Sequence, residues 1–99
     1  MRQFDVCRLR DGRDNLVLIL QNDIADELDT RIVAPLSDRP YRRLIQDVRV
    51  TVDFGQGPHV IHMDRMAAIP TRSIGAVIGN LADSERRIKS ALDLLFFGV

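Results

Sequence analysis

Two histidines, one cysteine and a run of acids are the residues of this chain best suited to chemistry. His59 and His62 stand three apart in a segment that reads as a β-strand. Side chains alternate across a strand, so residues three apart point to opposite faces and cannot serve one site. A nucleophilic triad needs Ser, Thr or Cys beside a histidine base and an acid, and this separation breaks it. Each histidine therefore reads as a sheet-surface residue. Cys7 is the only cysteine, so no internal disulfide can form. One cysteine and two opposed histidines do not make a metal set. Asp23, Asp26, Glu27 and Asp29 bunch together, but without the spacing or glycine of a calcium loop. Gly55-Gln56-Gly57-Pro58 joins two strands and opens no helix, so it is not a phosphate loop. Arg39, Arg42 and Arg43 form the one local basic cluster, with Asp38 and Asp47 flanking it and only Tyr41 interleaved. It reads as a solvated loop. No enzyme chemistry emerges, and neither a cofactor nor a metal is expected.

The elements that would position any site follow from patterning. With 99 residues, a single domain over 1–99 is expected. Fourteen cationic and fourteen anionic side chains balance, which is not the profile of a protein that grips phosphates across a whole face. No stretch approaches the ~20 apolar residues of a membrane span, and no signal peptide is evident. With the lone cysteine, this fits a cytoplasmic protein.

Gln3–Leu9 reads as a strand, Asp11–Asn15 as a turn, and Leu16–Leu20 as a buried strand paired with the first. Gln21–Thr30 is polar and irregular. Arg31–Leu36 is a third strand, in which Pro35 calls for an edge or a bulge. Ser37–Arg43 is a loop. Val48–Phe54 alternates cleanly, and His59–Met63 returns beside it. Asp64–Ile69 continues as strand or bend. Thr71–Ala82 reads as mostly irregular, with a short helix over Ile74–Leu81 as the alternative. The architecture is mainly β, a compact antiparallel barrel-like or sandwich sheet with a C-terminal helix against it.

That helix, Asp83–Val99, holds the most informative pattern. Asp83 or Ser84 can cap it, and Glu85 suits its first turn. Ile88, Ala91, Leu92, Leu95 and Val99 form one apolar stripe. Phe97 falls opposite, beside Arg86, Ser90 and Asp93, and Phe96 lies on the flank. No Lys or Arg occurs after Lys89, so nothing offsets the negative end of the helix dipole. An apolar terminus without a cation suits a surface that another molecule covers.

Nearly the whole chain resembles the CcdB toxins of type II toxin–antitoxin modules. The resemblance runs through Gln3-Phe4-Asp5-Val6, Gln21-Asn22-Asp23-Ile24, Val33-Ala34-Pro35-Leu36, Met66-Ala67-Ala68-Ile69-Pro70, Ile74-Gly75, Ile88-Lys89 and Phe96-Phe97-Gly98-Val99. It implies a homodimer of SH3-like barrels, each with a C-terminal helix. It also implies that the helix ends bind the A subunit of DNA gyrase and trap gyrase on cleaved DNA, until a labile CcdA-like antitoxin removes the toxin. An extended antitoxin tail lying on the barrel and loops is expected. No toxin catalysis and no direct contact with nucleic acid are implied.

By the same resemblance the gyrase-binding residues are Phe97, Gly98 and Val99, supported by Phe96, with Ile24 and Asp93 beside them. A well-known family member has Trp in place of Phe97, Asn in place of Asp93 and a second apolar residue in place of Ala25. Two other functions compete. One is a MazF/PemK-like endoribonuclease, which shares the barrel and for which Arg31 echoes a basic residue. The chain lacks the glycine-and-arginine loop of those nucleases. The other is a non-toxic relative that binds only an antitoxin.

Overall fold

The computed structural model describes residues 1–11, 15–23, 27–38, 48–55 and 57–98, with Arg49 described through its backbone alone. The arginine cluster at 39–43, Ile24, Ala25, Asp26, Gln56 and Val99 lie outside the described residues.

Among the described residues, seven strands form one antiparallel sheet: β1 (Asp5–Leu9), β2 (Leu16–Ile19), β3 (Thr30–Ser37), β4 (Arg49–Phe54), β5 (Gly57–His62), β6 (Ala67–Pro70) and β7 (Ile74–Asn80). The spatial order is β4-β5-β3-β2-β1-β7, with β6 added to β3. One helix follows, α1 (Glu85–Phe97). The sheet curls into a half-barrel. Its two terminal strands come together where the Phe54 ring of β4 lies against Gly79 of β7.

The curl explains the unbroken apolar run at Leu16–Leu20. Val6, Leu18, Leu20, Ala34 and Leu36 face the main core beneath α1, whereas Cys7, Val17, Ile19, Val33 and Ile74 form a second cluster. Neighbouring residues belong to different clusters because side chains alternate, and both faces of β1, β2 and β3 are covered. The pairing Val6↔Leu18 and Leu18↔Ala34 keeps like with like.

Pro35 sits within a central strand, neither at a sheet edge nor at a bulge. The Ile32 carbonyl accepts from Leu20 N, and its N–H donates to the Gln21 side chain, so Ile32 faces β2. Backbone groups alternate, so Pro35, three residues on, faces the opposite side. There the β6 ladder stops at the pair Val33↔Ala67, and the β5 ladder takes over at Leu36↔Ile61. The missing N–H falls in the gap between two partners, where no ladder bond is required.

The segment expected to be irregular, Thr71–Ala82, is a 3-10 turn followed by β7, which pairs with β1. Its glycines suggest a broken element locally, but tertiary contact makes them necessary. A Cβ on Gly75 would lie 2.9 Å from the Arg8 carbonyl oxygen, and one on Gly79 would enter the Phe54 ring. Close strand approach accounts for both residues. Asp64–Ile69 is part 3-10 turn and part β6, and Ser37 belongs to β3 rather than to the loop after it.

Candidate protein-binding surface

The polar candidates serve the fold. His59 and His62 do take opposite sides of β5. His59 is half-buried and meets Phe54 edge-on at 5.8 Å between ring centroids. His62 is not a sheet-surface residue: it is only 4% exposed, although it stands opposite Arg49 on the face of β5 turned away from Ile61 and Val50. Arg31 is equally buried and donates to the carbonyls of Leu28 and Thr30 at 2.9 and 3.0 Å. That holds the turn before β3. Asp23 accepts from Gln3 N at 2.8 Å and so fastens the N-terminal segment. Among the described residues, no group of three His, Cys, Asp or Glu could hold a metal ion. No described helix is long and apolar enough to cross a membrane.

α1 is launched by a polar joint at the end of β7. The Asn80 side chain donates through Nδ2 to Asp5 Oδ1 at 2.9 Å and accepts through Oδ1 from Ala82 N at 2.8 Å. Asp5 Oδ2 accepts from Arg2 N at 2.7 Å. Between these bonds Phe4 holds a positive φ of 67° and bridges Ile19 and Leu81 through its backbone. The strain at a buried non-glycine residue, ~1–3 kcal/mol, is borne where three elements meet.

A 3-10 turn, Ala82–Ser84, precedes the helix, which begins at Glu85 rather than at Asp83. Neither expected cap operates. Ser84 is the N-cap by position, but it makes no side-chain cap bond and accepts from Arg87 at 3.3 Å instead. The 3-10 turn keeps its φ and ψ near −100° and 10°, away from the extended geometry a capping serine needs. Lys89 pairs with Glu85 one turn away at 3.4 Å.

The apolar stripe is real but only half covered. Ile88 and Ala91 are fully buried, and Leu92 and Leu94 pack on the core. Leu95 lies on the same stripe yet is 38% exposed, because the last turn outruns the sheet beneath it. Phe96 and Phe97 are 64% and 77% exposed, with ring centroids 6.5 Å apart. Asp93 is exposed beside them. Gly98 closes the helix in the left-handed region, at φ 74°, and donates to the Leu94 carbonyl at 3.0 Å. No cation stands in the last turn.

Next to this end lies an open apolar groove of about 390 Å³. Phe96 and Leu92 form one wall, and Leu20, Gln21, Ile32, Met66, Ala67 and Ala68 form the rest. Ile32 is 38% exposed there, and Ala67 and Ala68 are exposed as well. Bare aromatics beside an apolar groove mark a protein-contact surface. Of the expected site residues, the helix brings Asp93, Phe96, Phe97 and Gly98 together. Ile24 and Val99 lie outside the described residues. The groove was missed in the sequence, since its walls come from segments far apart in the chain and none is unusual by itself.

A curled antiparallel half-barrel with a C-terminal helix is a fold that this chain shares with solved toxin structures. A Mycobacterium tuberculosis toxin structure matches with a TM-score of 0.76 and 27% identity, over 92% of this chain and 99% of that one. The Mycobacterium tuberculosis toxin MazF-mt6 matches at 0.78 and 25% identity, over 93% and 95%. A mycobacterial endoribonuclease in complex with its cognate antitoxin shares the fold at 0.74 and 18% identity, over 94% and 91%. The family model described as CcdB protein matches residues 3–98. The chain belongs to the CcdB family, and it is a toxin of a toxin–antitoxin system.

Proposed function

We propose that this toxin binds the A subunit of DNA gyrase through the tip of α1, traps the gyrase–DNA cleavage complex, and is neutralised by a cognate CcdA-like antitoxin. The observation that carries the reading is the exposed Phe96–Phe97 pair on a cation-free helix end closed by Gly98. Two large rings held by a rigid helix lose little conformational freedom on binding, and such residues dominate interfaces. The action is stoichiometric, by preference for one state of the target, and the protein is not an enzyme. It works in the cytoplasm. Membership of the CcdB family supports a homodimer, in which two helices meet near the two-fold axis and present their ends to the target.

The test is binding of the purified protein to a gyrase A fragment from its own host, with a deletion of residues 97–99 beside it. Binding that vanishes on deletion, with antitoxin binding and folding kept, supports the reading. A truncated protein that remains toxic refutes it. The endoribonuclease reading draws on the structures it resembles, but Arg31 is held against backbone carbonyls inside the fold. RNA cleavage by pure protein, lost in Arg31→Ala, would restore it.

A further inference from the structure

β2 ends at Ile19, and beyond it side-chain amides replace the ladder. Leu20 N still donates to the Ile32 carbonyl at 3.0 Å. Ile32 N, which a longer β2 would bond through its backbone, donates instead to Gln21 Oε1 at 3.0 Å. The Leu20 carbonyl accepts from Gln3 Nε2 at 2.9 Å, and Asp23 Oδ1 accepts from Gln3 N at 2.8 Å. The Gln3 carbonyl in turn accepts from Asn80 Nδ2 at 3.4 Å, at the joint that launches α1. Gln3 thus ties the segment 20–23 at two points and the joint before α1 at a third.

The segment so held is part of the groove. Leu20 and Gln21 line it together with Phe96 and Leu92 of α1, whereas Gln3 does not line it and reaches it only through the residues it bonds. Next to Gln3 stands the one positive φ at a non-glycine residue among those described. Phe4 holds it with its N–H donating to the Ile19 carbonyl at 2.7 Å and its ring in the core beneath α1. The turn there leaves the Phe4 ring buried and Gln3 half-buried against residues 20–23. Backbone strain of this kind persists where the surroundings over-determine it, and it gathers at binding sites.

We propose that Gln3 is a positioning residue for the binding end of α1: its amide fixes the groove wall at Leu20 and Gln21, and so the setting in which Phe96 is presented. This rests on the reading that the tip of α1 binds gyrase A. Without the amide the Leu20 carbonyl loses its side-chain donor, and the wall beside Phe96 is held by fewer bonds. A partner that packs on Phe96 must then order that wall as it binds, which lowers affinity. Only a donor serves here, because the group it meets is a carbonyl oxygen.

Titration of a gyrase A fragment from the toxin's own host tests this with wild type, Gln3→Met, Gln3→Arg, Arg10→Met and the deletion of residues 97–99. Met is close to Gln in length and has no donor, whereas Arg carries its Nε–H as many bonds from Cα as Gln carries Nε2. Arg10→Met removes a bond of the same kind, Nε to the Ile74 carbonyl at 2.9 Å, at the other end of β1. Kd should rise about fivefold or more in Gln3→Met and stay within about twofold of wild type in Gln3→Arg and Arg10→Met. Amide exchange at Ile32, which Gln3 does not touch, should quicken in Gln3→Met alone. An unchanged Kd in Gln3→Met overturns the proposal. So does an equal rise in Arg10→Met, which would be general loosening, or a rise that Gln3→Arg does not recover, which would be a lost surface contact. Binding that survives Gln3→Met but not the deletion refutes the positioning role alone. Wild type that does not bind refutes it together with the gyrase reading.

Discussion

Replacing Phe97 by alanine separates a binding surface from a folding surface. A covered phenylalanine buries roughly 150–250 Å². Phe97 leaves 77% of its surface open, so about 150 Å² remains for a partner to cover. At ~25 cal/mol per Å² that is at most ~4 kcal/mol. Incomplete coverage and the retained Cβ bring the expected loss to ~2 kcal/mol, about a thirtyfold rise in Kd. The folded state gives up almost none of this, because the ring contributes little to the core, and stability should change by less than ~0.5 kcal/mol. Titration calorimetry against a gyrase A fragment reads the first quantity, and thermal melting of the free toxin reads the second. If Phe97→Ala lowered the melting temperature as a core truncation does, the ring would be structural in solution. If affinity for the fragment stayed within about twofold, the helix tip would not be the target-binding site.

The remaining predictions concern the scaffold. Ile88→Ala removes a fully buried side chain under α1 and should cost ~2–5 kcal/mol in denaturant unfolding. Gly75→Ala should be worse than Gly79→Ala, because the first new Cβ meets a backbone carbonyl and the second meets a ring that can turn aside. About 1–3 kcal/mol is expected for Gly75→Ala, and chemical denaturation of the pair checks the order. Asn80→Ala takes the Asn80 bond from Asp5 Oδ1 and from Ala82 N, a loss of ~1–3 kcal/mol, while Asp5 Oδ2 keeps its bond from Arg2 N. Exchange of the Ala82 amide should rise with it. Burial, and secondarily the Asp5 charge, push the Cys7 thiol up from its ordinary value. The neutral thiol is thus favoured in the folded state. Its stabilising contribution is full below the ordinary thiol pKa and is lost as pH rises from there through the raised folded value. Stability should therefore fall in alkali less steeply in Cys7→Ser than in wild type, and thiol reagents should label Cys7 only on unfolding.

Local patterning made most elements legible. The alternation of Val48–Phe54 and the run at Leu16–Leu20 mark strands whatever surrounds them, since one period or one composition dominates. The helix tip was legible for the same reason: at helical spacing, Phe97 cannot share a face with Ile88 and Ala91. β7 was not legible. Gly75 and Gly79 break any local strand pattern, and only the approach of Arg8 and Phe54 explains them. His62 and Leu95 went astray for one shared reason. Periodicity says which side of an element a residue occupies, and it does not say where the covering layer begins or ends.

The sequence by itself determined a mainly β chain with a terminal amphipathic helix, an aromatic tip without cations, and motifs of the CcdB family. These are properties of neighbouring residues and of short periods. Tertiary structure alone decided that both faces of the central strands are covered, that Pro35 rests in a gap between two partner strands, and that the last helical turn overhangs its support. It also decided that the groove beside Phe96 exists and that Ala76, Val77 and Ile78 of β7 are exposed. Each of these depends on how far one element extends past another, a relation set by packing between residues distant in the chain.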